Sequence, residues 1–408
     1  MKIVEINMVS TGSTGNIMLN IAKVARENGH EVITYSTNVF SKKYRKLPPA
    51  PYGHKYFGTY LENGVHKVLA MLFGATGQYS YFSTKRLIKD IKKFKPDVIN
   101  LHNLHNFCFN LPSFFKFVKK NNIRVVWTLH DCWSFTGHCP YFDMIGCDKW
   151  KTACYDCPQY NKGYLKTWVD GSKKMYKNKK KWLTGAQDMT LITPSQWLAN
   201  LTRQSYLKEY PVKVINNGID LNIFKPTDSD FKEKYSLQDK KIVLGVAFGW
   251  GERKGLDAIV ELSKTLPNNY QIVLVGASSG MEKFLPNNVL CILKTNSKEE
   301  LAKIYSSADV FINPTREDNF PTVNIEAIAC GTPVITFNTG GSPEIIDETC
   351  GIVVEKNDVD GMLNAIIKVC ENRPFKKEDC VNRAKNYDMN DKFKEYVELY
   401  EDITHSAQ

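Results

Sequence analysis

Apolar residues in this chain gather into short, nearly unbroken runs. In the first half these are Lys2–Val9, His30–Ser36, Asp97–Leu101, Arg124–Leu129, Met189–Thr193 and Val212–Ile215. Runs of this length without polar alternation predict strands buried on both faces, as parallel sheets require. Between them the spacing changes to three and four residues. That predicts helices over Ile17–Glu27, Leu61–Phe73, Thr84–Phe94 and Leu111–Lys120, with Pro194-Ser195-Gln196-Trp197 opening another. The pattern restarts at Lys241. Strands over Lys241–Phe248, Gln271–Val275, Val289–Leu293, Val310–Ile312, Pro333–Phe337 and Gly351–Glu355 alternate with helices over Lys298–Ser306, Pro321–Cys330 and Val359–Glu371. A last helix covers Asn390–Tyr400. Such alternation predicts α/β units on parallel sheets. Ser41–Phe82 fits least. It carries Lys42, Lys43, Arg45 and Lys46, then Pro48-Pro49-Ala50-Pro51, and reads as a loop with some helix: either an irregular insertion or a face toward an acceptor or membrane.

Ligands of open α/β sheets bind outside the carboxyl ends of the strands, so the polar loops at those ends hold the candidate chemistry. The first strand is followed by Ser10-Thr11-Gly12-Ser13-Thr14-Gly15-Asn16, whose two glycines let the backbone approach an anion or a sugar, with Gly15 and Asn16 the candidate site residues. His130 closes the run Thr128-Leu129-His130 and is either a ligand-facing or a hydrogen-bonded structural histidine; His102 and His105 lie after the preceding strand. Gly249-Trp250-Gly251-Glu252-Arg253-Lys254-Gly255 comes close to a dinucleotide fingerprint. The spacing is one residue too long, and the next strand ends in Gly276 without the acid that would bind a ribose. Arg253 and Lys254 at a helix start suit a diphosphate instead. Glu317, Asp318, Asn319 and Phe320 precede a helix carrying Glu326, and Gly340-Gly341-Ser342-Pro343-Glu344 forms another glycine loop whose amides suit phosphate. Asp228-Ser229-Asp230 and Asp358-Val359-Asp360 have a metal-binding look but sit before helices, as caps do.

Composition narrows the partners. The 408 residues allow two domains, and 43% hydrophobic content supports real cores. The start reads as a strand rather than a signal peptide, and no apolar run approaches the ~18 residues of a spanning helix, so a cytoplasmic protein is expected. The net charge of +11 implies an anionic partner. Lys162–Lys181 holds eight lysines and one acid, with Trp168, Met175 and Tyr176 interleaved, and Trp182 just beyond. It is either a basic amphipathic helix on an anionic membrane or a solvated helix with its aromatics in the core. Five of the eleven cysteines fall between Cys132 and Cys157. In a reducing compartment Cys139, Cys147, Cys154 and Cys157 match a structural zinc site that would tie down a loop without its own core; the other reading is free buried thiols.

E-D-N-F-P, then E-A-x-A-C-G-T-P-V, resembles the nucleotide-sugar signature of the retaining GT-B glycosyltransferases of family four. The K-G pair at Lys254, the V-x-T-x-H run at His130 and the N-G-I-D run at Asn217 to Asp220 are similar to that family as well. The bacterial surface-polysaccharide members resemble the cysteine loop. The resemblance implies a GT-B fold: two facing Rossmann-like, doubly wound domains with a cleft between them. Residues 1–205 would form the acceptor side, with the cysteine loop at 132–157; 206–226 the hinge; 227–388 the nucleotide-sugar domain; and 389–408 a helix crossing back. It implies hexosyl transfer with retention from a UDP- or GDP-sugar to a saccharide or polyprenyl-linked saccharide, at the inner face of a membrane. Glu326 would bind the ribose, Glu317 or Asp318 the sugar ring, Arg253 and Lys254 the diphosphate, and His130 a sugar hydroxyl. Gly249, Asn319, Phe320, Gly340 and Gly341 would line the donor. No catalytic metal and no nucleic acid are expected. A sugar-nucleotide epimerase, an NAD-dependent oxidoreductase and a basic zinc-containing nucleic-acid-binding protein are the rival readings.

Overall fold

The computed structural model describes residues 1–37, 51–105, 107–162 and 165–405. Lys42, Lys43, Arg45, Lys46 and Pro48–Ala50 lie outside the described residues. The chain divides into two compact units, Met1–Ile215 with Phe393–Gln408, and Asn216–Lys392.

In the first unit the strands are β1 (Lys2–Ile6), β2 (Glu31–Thr37), β3 (His54–Phe57), β4 (Val98–Leu101), β5 (Val125–Thr128), β6 (Met189–Thr193) and β7 (Val212–Val214). The helices are α1 (Gly12–Glu27), α2 (Tyr60–Phe73), α3 (Tyr81–Phe94), α4 (Leu111–Lys120), α5 (Ser172–Leu183) and α6 (Gln196–Gln204). Among the described residues the sheet runs β3-β2-β1-β4-β5-β6-β7, every pair parallel. Strand order reverses between β1 and β4, so loops after these two strands diverge and leave a crevice.

The second unit repeats the plan. Its strands are β8 (Lys241–Val246), β9 (Tyr270–Val275), β10 (Val289–Ile292), β11 (Val310–Asn313), β12 (Val334–Phe337) and β13 (Gly351–Val354), in the order β10-β9-β8-β11-β12-β13, all parallel. Its helices are α7 (Phe231–Lys234), α8 (Leu256–Thr265), α9 (Lys298–Ser307), α10 (Thr322–Ala329), α11 (Ser342–Ile345), α12 (Val359–Asn372) and α13 (Lys377–Ala384). The last helix, α14 (Met389–His405), belongs to the first unit from Phe393 onward. Here the reversal falls between β8 and β11, placing the Gly249–Gly255 and Thr315–Phe320 loops side by side. Alternate residues of one strand feed the two faces: Leu244 and Phe311 enter one core cluster, Val243 and Ile312 the other. Every residue of β4, β5, β11 and β12 is buried, which explains their unbroken apolar runs.

The structure departs from the pattern where apolar signal is thin. β3 is absent from the expected strands because only His54 and Phe57 of its four residues are buried. α1 starts at Gly12 rather than near Ile17, since Gly-Ser-Thr-Gly-Asn coils without apolar spacing. α13 buries only Cys380 and Ala384. Of the two aspartate pairs, Asp358 caps α12 by accepting from the Gly361 amide at 2.8 Å; Asp230 precedes α7 without a side-chain cap.

The lysine-rich stretch follows the second of its two readings, a solvated helix with its apolar side chains in the core. α5 buries Met175, Tyr176, Lys179 and Leu183 and exposes Lys173, Lys174, Lys177, Lys180 and Lys181. Its apolar face is occupied by its own domain and has nothing to lay on lipid. Instead α2 exposes Leu61 (78%), Val65, Val68 and Leu72, a stripe at helical spacing, with Phe73 at its end. Trp168 (65% exposed) and Val169 adjoin it, the Trp168 amide donating to Met71 O at 2.9 Å. Among the described residues no helix is long and apolar enough to cross a membrane.

Candidate functional site

The two loops at the β8/β11 reversal are stitched together. Arg253 Nη1 donates to Glu317 O at 3.0 Å, the Arg316 amide donates to Arg253 O at 2.9 Å, and Lys254 Nζ lies 2.5 Å from Asp318 Oδ2. Arg316 adds a bidentate pair with Asp257 at 2.7 and 2.6 Å and holds the latter's carboxyl below its usual range. Two glycines make the approach feasible. A Cβ on Gly255 (φ +76°) would meet Pro314 O at 2.2 Å, and one on Gly340 (φ +57°) would meet Asp318 O at 1.7 Å. The Gly341 amide donates to Asn319 O at 3.0 Å, so the second glycine loop also packs on the acidic loop. Lys254 and Asp318 are partly exposed; Glu317, Asn319 and Phe320 are buried. Glu326, one helix turn inside α10, accepts from Tyr305 Oη at 3.0 Å, and burial raises its carboxyl above the usual range. The structure thus joins Arg253, Lys254, Glu317, Asp318, Asn319 and Gly341 through direct bonds, while Gly249 (φ +85°) turns the loop beside fully exposed Phe248.

In the first unit the crevice end is drier. Gly15 packs against Ser10, where an added Cβ would sit 2.5 Å from Ser10 C, so its lack of a side chain serves loop packing; Asn16 is exposed. His130 Nε2 lies 2.9 Å from His102 Nδ1, and His102 Nε2 lies 2.8 Å from Glu5 Oε2. His105 Nε2 lies 2.9 Å from Asp131 Oδ2. Burial, the largest influence, would raise Asp131, but His105, the Trp133 amide and His130 together outweigh it and hold the carboxyl low. Desolvation pushes His102 and His130 down to about 3 and Glu5 up to about 8. Sequence reasoning named the histidines but missed Glu5, although a carboxylate inside the apolar run Lys2–Ile6 was the signal.

The four-thiolate zinc site is not found. Among the described residues no group of three or more His, Cys, Asp or Glu is arranged to hold a metal ion. The cysteines have other partners: Cys154 Sγ accepts from the Gly137 amide at 3.1 Å. Cys139 hydrogen-bonds to Cys157, which lowers Cys157 to about 7 and raises Cys139. Nor does the loop lack a core. Phe135, Phe142 and Trp150 are buried together, with ring centroids 4.9 Å apart for Phe142–Trp150 and 5.2 Å for Phe135–Trp150. Aromatic packing therefore gives the loop the core it was expected to lack.

A cavity of about 520 Å³ lined by Thr227, Lys232, Asp309, Pro333 and Arg373 lies elsewhere. Asp309 and Pro333 precede β11 and β12, so it sits at the amino ends of the strands, away from the ligand edge.

Comparison with known proteins follows the same division. Residues 14–223 match Glycosyltransferase Family 4, and residues 227–387 match Glycosyl transferases group 1. A protein of Escherichia coli K12 named for colanic acid biosynthesis, WcaC, is 28% identical over 272 residues; the match spans 65% of this chain and 65% of that one. The fold superposes on sucrose-phosphate synthase from Thermosynechococcus elongatus with a TM-score of 0.73 at 18% identity, covering 99% of both chains. It superposes on Anabaena HepE in complex with UDP-glucose with a TM-score of 0.64 at 15% identity, covering 98% of this chain and 100% of that one. Two parallel α/β domains of GT-B type, each matched by its own family description, establish that the chain belongs to glycosyltransferase family 4.

Proposed function

We propose that this protein transfers a hexosyl group, with retention, from a UDP- or GDP-sugar to a saccharide acceptor carried on a lipid, in polysaccharide assembly. The observation that carries the reading is the joined loop pair of the second unit, where Arg253 and Lys254 meet Glu317 and Asp318 at a strand-order reversal. Lys254 rests on Asp318; a donor diphosphate competes for that cation and frees the carboxylate for the sugar ring. As the bond from sugar C1 to the β-phosphate oxygen breaks, its electron pair passes to that oxygen, and Arg253 and Lys254 offset the growing charge. The acceptor oxygen bonds to C1 from the same face, and its proton passes to the departing phosphate. Glu326, held by Tyr305, takes the ribose diol. The relative named for colanic acid biosynthesis supports the polysaccharide setting, and the UDP-glucose complex of HepE supports a nucleotide-sugar donor.

The acceptor side meets a membrane through α2. The Leu61-Val65-Val68-Leu72 stripe with Trp168 offers apolar area, and exposed Lys67 and Lys166 offer charge toward anionic headgroups. The test is a panel of nucleotide sugars read by thermal shift, followed by NMR of the product's anomeric centre. One donor should raise Tm and yield product with its own anomeric configuration. No stabilisation by any donor, or an inverted product, would sink the reading.

A further inference from the structure

Glu5, His102 and His130 form a chain of hydrogen bonds whose links are 2.8 and 2.9 Å, and Asn100 Nδ2 lies 3.2 Å from His102 Nε2 beside it. The two imidazoles are nearly parallel, 11° apart, with centroids 5.2 Å apart. Glu5 and His102 are wholly buried, and His130 is the member at the surface end, 9% exposed. The surroundings fix the carboxylate. Tyr400 of α14 donates to Oε1 at 2.9 Å, and Asn100 of β4 donates to Oε2 at 3.0 Å, with its own Oδ1 held by Thr128 at 3.1 Å. Arg26 of α1 acts on Glu5 at longer range; Asp131 and His105 face His130.

A neutral imidazole carries one proton on two nitrogens, so each ring passes polarity along the chain. With Glu5 protonated, its hydroxyl donates to His102 Nε2, His102 Nδ1 donates to His130 Nε2, and His130 carries its proton on Nδ1. With Glu5 ionised, all three shift. His102 donates from Nε2, His130 donates from Nε2, and Nδ1 of His130 becomes an acceptor. The proton lost is the one on His130 Nδ1, so a carboxyl out of reach of water titrates through the surface ring. We propose that Glu5 and His102 are positioning residues that set whether His130 presents a donor or an acceptor to its ligand. This deepens the reading of His130 as a sugar-facing residue and rests on it for its effect on catalysis.

The test separates the two. In the full chain with ¹⁵N-labelled histidine, NMR should show His130 protonated on Nδ1 below about pH 8 and on Nε2 above it. In Glu5→Gln the Asn100 amide directs the new carbonyl oxygen toward His102, which locks the ionised pattern, and the titration should vanish. Tyr400→Phe removes one bond to the carboxylate without removing volume and should move the midpoint upward, which keeps the test alive where the glutamine variant fails to fold. A His130 tautomer unchanged across this pH range in the wild type, or a titration that persists in Glu5→Gln, overturns the proposal. Activity reads the other half. His130→Ala should lower kcat, and Glu5→Gln should abolish the alkaline change in kcat while leaving KM alone. Full activity in His130→Ala would contradict the sugar-facing role while the NMR result still decides the relay.

Discussion

The two strand-order reversals of this protein hold opposite kinds of polar apparatus. In the first unit Glu5, His102 and His130 are buried, neutral where burial dictates, and hold one another at fixed angles. In the second, Lys254 and Asp318 are partly exposed charges paired across two loops. Burial makes the first sensitive to proton position and nearly indifferent to salt. Exposure leaves the second open to salt and to competing ions, and under the proposed function a diphosphate enters it by exchange. One topology therefore holds both a dry hydrogen-bond chain and a partly exposed ion pair, depending on how deep the strand-end residues sit.

Ways to break that contrast begin with packing. Trp150→Ala should cost about 3–5 kcal/mol of stability by opening the aromatic cluster of the cysteine loop. Chemical denaturation measures this, and EDTA should leave the wild-type Tm unchanged; a chelator-induced fall would mean that thiolates, rather than rings, anchor the loop. Gly340→Ala should cost about 1–3 kcal/mol and displace the Asp318 loop, weakening nucleotide binding alongside stability. A further effect sharpens the contrast through pH. Glu5 is raised from 4.5 to about 8 in the folded state, so the native protein holds a proton that the unfolded chain releases. Stability should fall as pH rises from 4.5 toward 8, by at most about 1.4 kcal/mol per unit. His102 and His130, lowered from 6.5 to about 3, contribute the opposite slope below 6.5. Between 6.5 and 8 the Glu5 slope stands alone among these three groups, and urea melts of Glu5→Gln should be flat there relative to wild type.

Much of the frame was legible in the chain because parallel strands such as β4, β5, β11 and β12 are buried on both faces and write themselves as apolar runs. β3 and α13 were not, since an edge strand and a mostly solvated helix bury too few residues to make a pattern. Arg253, Lys254 and the acids near Asp318 were legible as charged residues of two strand-end loops, and the structure pairs them. What sequence could not convey was pairing: that Arg316 would clamp Asp257, that Tyr305 would reach Glu326, or that Tyr400 would return to Glu5 from nearly four hundred residues away. The cysteine spacing misled because thiols near one another satisfy a motif whether or not their sulfurs converge on a point.

The most direct test of the donor site is calorimetric titration of UDP and GDP into wild type and Lys254→Ala. The wild type should bind one of the two, and the variant should bind it about tenfold or more weakly with an unchanged Tm, since a charge-assisted contact to phosphate is lost. Equal affinity in the variant, or no binding of either nucleotide to the wild type, would contradict the account.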